Sequence, residues 1–408
     1  MNRTSGYGAG YQAILVFLLS ITFGIVFFDR NALAFLMPFV QPELGLTNTQ
    51  VGLLSSGLSL TWALSGIFIG AASDRSGRRK AFLLVSVVAF SLCSFLSGLA
   101  ASFLMLLAAR LLMGVAEGAT MPVSQSLVVA EVAPAHRGVA MGIMQNFGSN
   151  LLGSFAAPVL LVLFAELFGW RNAFFLAGVP GLIAALLIWG LIREPERLSV
   201  TGTAEDRPSW RQVFAQRNMV LCALISILLV SYLVVTWSFM PLYLTQVRGF
   251  SPETMGWLMG TLGISATVTS FVVPGISDRI GRRPVMIATP FLGVILPLAA
   301  MYYGGSTWVL AAAFFFGWAL TGTFPMFMAT IPAETVPPQY VATAAGLAMG
   351  VGELIGGVGS PALAGWIADR TDLSAPMWIL LVICVLAGLL GLGLRETAPA
   401  LAGNTPRP

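Results

Sequence analysis

The sequence predicts an all-α membrane protein with twelve transmembrane helices in two pseudo-symmetric bundles of six. Three observations predict it. The chain of 408 residues is 57% hydrophobic and 9% charged, where a soluble domain carries roughly 25% charged residues. Its apolar residues fall into twelve runs, each long enough to cross a bilayer, which takes about 20 residues of helix. The motif SDRSGRR at Ser73 returns as SDRIGRR at Ser277, an offset of 204, which is half the chain length.

The first run, 12–40, begins without charge and then places Asp29 and Arg30 side by side in VFFDRNALAFLMP. It is too long for the apolar region of a signal peptide, so a retained span is predicted. Runs 50–72 and 81–100 flank the first SDRSGRR loop. Run 103–132 carries Arg110 and Glu117, and runs 138–167 and 171–192 complete the first half. The polar, proline-interrupted segment REPERLSVTGTAEDRPSWRQVFAQR follows. It divides the chain into an N-terminal bundle, 1–192, a cytoplasmic linker, 193–217, and a C-terminal bundle, 218–408. The second half holds runs 218–246, 253–276, 284–303, 307–335, 339–368 and 375–394. Continuous apolar runs without period-2 alternation exclude a strand barrel.

The halves repeat beyond the loop motif. EVAP at Glu131 matches ETVP at Glu334, an offset of 203, and Gly148 and Gly153 map onto Gly352 and Gly357 at 204. Parallel duplication of six-span halves is one way secondary transporters are built. With both termini cytoplasmic, sixteen of the 21 basic residues lie on that side and only Arg171, Arg248 and Arg370 on the other. This is the positive-inside bias. It predicts a multi-pass protein of the inner (plasma) membrane, whose basic charge serves the lipid bilayer and not nucleic acid. Cys93, Cys222 and Cys384 sit within apolar runs at no metal-ligand spacing, so neither metal nor other cofactor is expected. Clustered histidines, a nucleophile elbow and a phosphate loop are missing from the sequence, which argues against an enzyme. His136, in PAHRG, reads as a solvated loop residue. A monomer is predicted.

Each DRxGRR copy reads as half of a cytoplasmic latch. A charge anchor needs neither Gly nor Asp. Here Gly permits a tight turn and Asp can cap a helix. Arg75 and Arg78 beside Asp74 would reach Glu131, and Arg279 and Arg282 beside Asp278 would reach Glu334.

The intramembrane charges point to function. A charge at the bilayer centre costs from ~3 to more than 10 kcal/mol, and such residues mark substrate or proton paths. Arg110 and Glu117 are seven residues apart and share a helix face within about 20°. Asp29 and Arg30 are adjacent, point about 100° apart and cannot pair with each other. Each therefore seeks a partner on another helix, and the fourth span offers one of each sign. Arginine presents a fork matched to carboxylate, so Arg30 and Arg110 are candidates for binding an anion. A carboxylate freed from its arginine can take up a proton, so Asp29 and Glu117 are candidates for proton coupling. Gln145, Asn146 and Asn150 on the fifth span, Tyr232 and Trp237 on the seventh, and Trp318 and Thr321 on the tenth are further cavity candidates.

GAASDRSGRRK from Gly70 and RLLMGVAEG from Arg110 resemble the two best-known signatures of the major facilitator superfamily, and the two-half layout agrees over essentially the whole chain. The second loop is a weaker copy, with Pro274 where the first has Gly70. Acid–Arg in the first span, Arg with Glu seven later in the fourth, GWRNAFFLAGVPGL from Gly169 and TWSFMPLYLTQVRGFS from Thr236 resemble the anion:cation symporter branch. That branch includes sugar-acid and aromatic-acid permeases and vesicular glutamate carriers. The resemblance implies the major facilitator fold and proton-coupled symport of a small organic anion by alternating access. The anion would be a carboxylate such as a monocarboxylate, sugar acid or aromatic acid. The resemblance also associates Asp29 and Glu117 with protons and Arg30 and Arg110 with substrate. Glu353, in GVGELIGGVGSP, departs from the branch, whose members commonly carry Asn nearby; it would add a proton site or contact a hydroxyl-rich or cationic part of the substrate. Two alternatives share the fold. A drug–proton antiporter would show a GPxxGG-like fifth span, which here reads GSNLLGSFAAP. A spinster-like lipid transporter also has an acid–Arg pair in its first span.

Overall fold

The computed structural model describes residues 8–195, 216–337 and 340–398; most of the expected linker lies outside them. Among the described residues, twelve helices are long and apolar enough to cross a membrane: α1 (Gly10–Leu44), α2 (Asn48–Ser73), α3 (Arg79–Gly98), α4 (Phe103–Glu131), α5 (Arg137–Phe168), α6 (Trp170–Leu191), α7 (Arg217–Val247), α8 (Pro252–Ile280), α9 (Arg282–Tyr302), α10 (Thr307–Thr335), α11 (Thr343–Arg370) and α12 (Ala375–Leu392). No strand occurs among the described residues. In a bilayer core every backbone polar group must be satisfied within the segment, and the helix does so.

The chain forms two compact units. The first comprises Met1–Leu46, Gly57–Thr201 and Ser251–Gly263; the second comprises Thr47–Ser56, Gly202–Phe250 and Ile264–Pro408. The division therefore differs from a cut at the linker, because the first turns of α2 and of α8 each belong with the other half. The start of α2 is fixed in the second unit by Asp369 of α11, whose carboxylate accepts the Asn48 N–H at 2.8 Å, the Thr49 N–H at 2.8 Å and the Thr49 hydroxyl at 2.5 Å. These N–H groups are among those a helix start leaves unpaired.

Within the first unit, Leu83, Val87 and Phe90 of α3 pack with Val123 and Leu127 of α4 and with Ala184 and Ile188 of α6. Large apolar side chains such as Phe17, Leu104, Leu167 and Leu186 are exposed instead. A soluble protein would not leave so many outward; a bilayer takes them as its solvent-facing surface.

The repeat seen in the sequence extends to the irregularities of the helices. α5 is π-helical over Ile143–Phe147 and Ser149–Ala156. α11 is π-helical over Gly352–Gly357, which is 148–153 displaced by 204. α4 turns at Ala119, straight after Glu117 and Gly118, and α10 tightens to a 3-10 helix over Trp318–Thr323. The two DRxGRR glycines, Gly77 and Gly281, have φ of 69° and 106°, where a side chain would be strained.

Both halves also close the next helix start in the same way. The carboxylate of Glu194 accepts the Lys80 and Ala81 N–H groups of α3 at 3.0 and 3.3 Å. That of Glu396 accepts the Arg282 and Arg283 N–H groups of α9 at 2.8 and 3.1 Å. The Arg-Glu pairs at 193–194 and 395–396 were the visible sign of this repeat in the sequence.

Candidate functional site

Asp29 of α1, and Arg110 and Glu117 of α4, are 0%, 1% and 1% exposed. They come together inside the first unit, with α3 and α6 completing the surroundings. The Ser94 hydroxyl of α3 lies 2.6 Å from Asp29 Oδ1 and 2.9 Å from the Phe174 carbonyl of α6. It has one proton for two acceptors. Arg110 Nη2 donates to Ser97 Oγ at 2.9 Å, and its guanidinium lies 5.6 Å from the Phe174 ring centroid. Cation–π contact is one of the few favourable environments for a desolvated guanidinium.

Asp29 and Arg30 do diverge, as their spacing requires. Asp29 turns to α3, while the Arg30 guanidinium sits 5.0 Å from the Trp62 ring of α2 and 5.8 Å from Phe27. Arg30 is partly exposed, unlike its neighbour. Arg110 lies within electrostatic reach of Asp29 and Glu117, and Glu117 within reach of Arg30 and Asp29. Among the described residues none of the four is in an ion pair at 4.0 Å or less. Asp29 Oδ2, both carboxyl oxygens of Glu117, and Nε and Nη1 of Arg110 are buried with no hydrogen-bond partner. Buried polar groups are normally satisfied, and leaving one bare costs ~1–3 kcal/mol, more for a charge.

Gln145 and Asn150 are partly exposed on the π-helical part of α5. Glu353 is partly exposed on the π-helical turn of α11 in the second unit. Tyr232 is corrected: it is 0% exposed, its hydroxyl donates to the Gly293 carbonyl at 3.0 Å, and its ring sits 5.7 Å from that of Trp318. It packs the core of the second unit and has no hydroxyl proton to offer a ligand. Trp237 packs on Trp318 at 5.4 Å, edge to face.

Of the residues expected in the second copy of the latch, Arg282, Asp278 and Glu334 meet. Arg282 pairs with Glu334 at 3.0 Å and with Asp278 at 2.5 Å, and also donates to Ser277 Oγ at 2.6 Å. Thr397 Oγ1 donates to the same Glu334 at 2.6 Å. Arg279 is exposed. In the first copy Arg75 and Arg78 are exposed, and the buried arginine is Arg79, one position beyond the expected one. Glu131 is buried. The side chain of Asp74 lies outside the described residues.

Sequence reasoning missed Ser94, Ser97 and Trp62. The signal for the serines was present in SLCSFLSG, where Ser91, Ser94 and Ser97 put hydroxyls three apart on an otherwise apolar helix, and all three are fully buried. Nothing in the sequence singled out Trp62 among ten tryptophans.

The family model described as Major Facilitator Superfamily matches residues 19–251 and 233–408. The chain is 29% identical over 382 residues to a hexuronate transporter of Bacillus subtilis, covering 87% of this chain and 88% of that relative. It is 27% identical over 383 residues to a protein described as a probable sulfoacetate transporter of Cupriavidus necator, covering 87% and 86%. Among solved structures, an inward-facing, occupied bacterial homolog of the human lysosomal transporter spinster superposes with a TM-score of 0.79 at 20% identity, covering 95% of this chain and 97% of that one. A nucleoside transporter superposes with a TM-score of 0.78 at 15% identity, covering 93% and 99%. Likeness at these identities speaks to fold.

Proposed function

The chain belongs to the Major Facilitator Superfamily, a family of transporters and not of enzymes, and from that premise we propose that it carries a small organic anion together with one or more protons by alternating access. The observation that carries this reading is the buried cluster of Asp29, Arg110 and Glu117, several of whose polar atoms have no partner in the protein. Arg110, with Arg30 beside it, supplies the positive charge for a carboxylate. The anion neutralises a guanidinium whose positive charge lies within electrostatic reach of Asp29 and Glu117, and a carboxylate that loses this compensation takes up a proton, because a bare charge in a buried interior is costly. The arginine charge is thus shared between the protein's acids and the anion, and that competition ties the passage of the anion to a proton. The names of the relatives, hexuronate and sulfoacetate, are of organic anions and support the same class. Both termini are assigned to the cytoplasmic side of the inner membrane on the basic-residue asymmetry.

The test is Glu117→Gln in protein reconstituted into liposomes. Exchange of labelled anion across the membrane is expected to persist, and accumulation driven by a proton gradient to be lost. Normal gradient-driven accumulation by Glu117→Gln would overturn the coupling assignment.

A further inference from the structure

The fifth span is not a plain α-helix, and the first span bonds to it where it departs from one. The Gly148 N–H of α5 donates to Ser20 Oγ of α1 at 3.2 Å, and the Ser20 hydroxyl donates to the Ile143 carbonyl of α5 at 3.0 Å. Residues 143 and 148 are five apart, the separation that an i→i+5 bond of a π-helical ladder would close. The Ser20 hydroxyl is therefore spliced into the backbone ladder of a neighbouring helix, as an inserted water can be. Ten residues further along α5, Asn31 Nδ2 of α1 donates to the Gly153 carbonyl at 3.0 Å, at the far side of the same irregular stretch. The approach is close enough to allow this only because of glycines. A Cβ on Gly148 would lie 1.9 Å from the Ser20 carbonyl oxygen, and one on Gly153 would lie 2.3 Å from Phe27 Cβ. Departures from the α ladder open backbone groups that a membrane interior cannot hydrate, and here two side chains of α1 meet them.

We propose that Ser20 and Asn31 are positioning residues that hold α5 in its π-helical form, and that this form is what turns Gln145 and Asn150 to one side of the helix. The geometry is direct. Residues five apart diverge by about 140° on an α-helix, whereas an i→i+5 ladder stacks them. Asn31 is two residues from Asp29, so the segment of α1 that carries the charged pair also sets the rotation of the polar side of α5. The functional meaning of that side, as part of an anion site, rests on the function proposed above; the lock itself does not.

The experiment separates the two. Gln145→Cys and Asn150→Cys are made singly and labelled with a membrane-impermeant thiol reagent, the three native cysteines being buried. Both are expected to label in the parent. In the Ser20→Ala, Asn31→Leu background α5 returns towards an α ladder, and labelling is expected to be lost at one of the two positions; Ser20→Thr, which keeps the hydroxyl, is expected to retain both. Unchanged labelling at both positions in the double variant, or a parent in which only one labels, overturns the proposal. If the double variant does not fold, Ser20→Ala alone, which removes one hydroxyl, decides the question by the same criteria. No anion is needed for labelling, so failure of the transport reading leaves this result standing. Where an anion is carried, the double variant is expected to raise KM with little change in kcat, a split that general loss of structure would not give.

Discussion

Gly148→Ala is expected to destabilise the protein although it adds only a methyl group to a helix. That methyl would stand 1.9 Å from the Ser20 carbonyl oxygen and 2.7 Å from its carbon, where ordinary contact begins at 3.4 Å. The obstacle is backbone, so no side chain can swing away. α1 and α5 must part by about 1.5 Å, the difference between those distances. Overpacking of this kind costs ~1–3 kcal/mol. Stretching the two Ser20 bonds removes up to about 1 kcal/mol each, and the better helix propensity of alanine returns about 1 kcal/mol. With both bonds lost the net loss is about 2–4 kcal/mol. Gly142→Ala, six residues earlier in the same span, is the control. Nothing lies within 4 Å of its Cβ position, so only the propensity gain of about 1 kcal/mol applies. Thermal unfolding of the two detergent-solubilised variants, followed by tryptophan fluorescence, measures the difference. A Gly148→Ala protein melting at or above Gly142→Ala would refute the close-packed, hydroxyl-spliced contact between α1 and α5.

Arg110→Ala is expected to abolish carboxylate binding, and Arg110→Lys not to restore it, because a point charge does not reproduce the guanidinium fork; a thermal-shift screen against a carboxylate panel reads both, since a ligand of the native state raises the melting point. Arg282→Ala is expected to lower stability by about 2 kcal/mol, less than for a fully buried pair because the Asp278 and Glu334 side chains are 61% and 18% exposed, while anion affinity stays near that of the parent; a large loss of equilibrium affinity would argue against a latch. Partial burial pushes the Glu396 carboxyl up, and donation from the Ala398, Arg282, Arg283 and Thr397 N–H groups brings it, on balance, below its ordinary value of 4.5. A depressed acid stabilises the fold above its unfolded value and loses that contribution as the pH falls through its folded value. Melting of Glu396→Gln is therefore expected to lie below the parent at neutral pH and to converge with it in acid; a gap that stays constant would show that the charge is not what caps α9.

Much of the fold was legible because a bilayer permits few solutions. Twelve apolar runs can only be twelve helices when strands lack alternation and backbone groups lack water, and the structure returns each run within a few residues. Parts of the site were legible for a related reason: Asp29, Arg110 and Glu117 are conspicuous in an apolar chain, and the seven-residue spacing on α4 already put two of them on one face. Tyr232 misled because an aromatic with a hydroxyl reads alike whether it lines a cavity or bonds to Gly293. Arg78 misled because the buried arginine is in each half the first residue of the helix, Arg79 in α3 and Arg282 in α9, and the motif does not fix where that helix starts.

The sequence by itself determined the solvent, the number of spans, the duplication and the identity of the buried charges, since each follows from composition, length or exact repetition along one dimension. Only the tertiary structure decided what those charges face: Ser94 beneath Asp29, Ser97 beneath Arg110, Trp62 beneath Arg30. It also decided that α5 is π-helical. The hydroxyl and amide that hold it so come from α1, more than a hundred residues away along the chain, and helix periodicity carries no trace of a hydrogen bond donated by another helix.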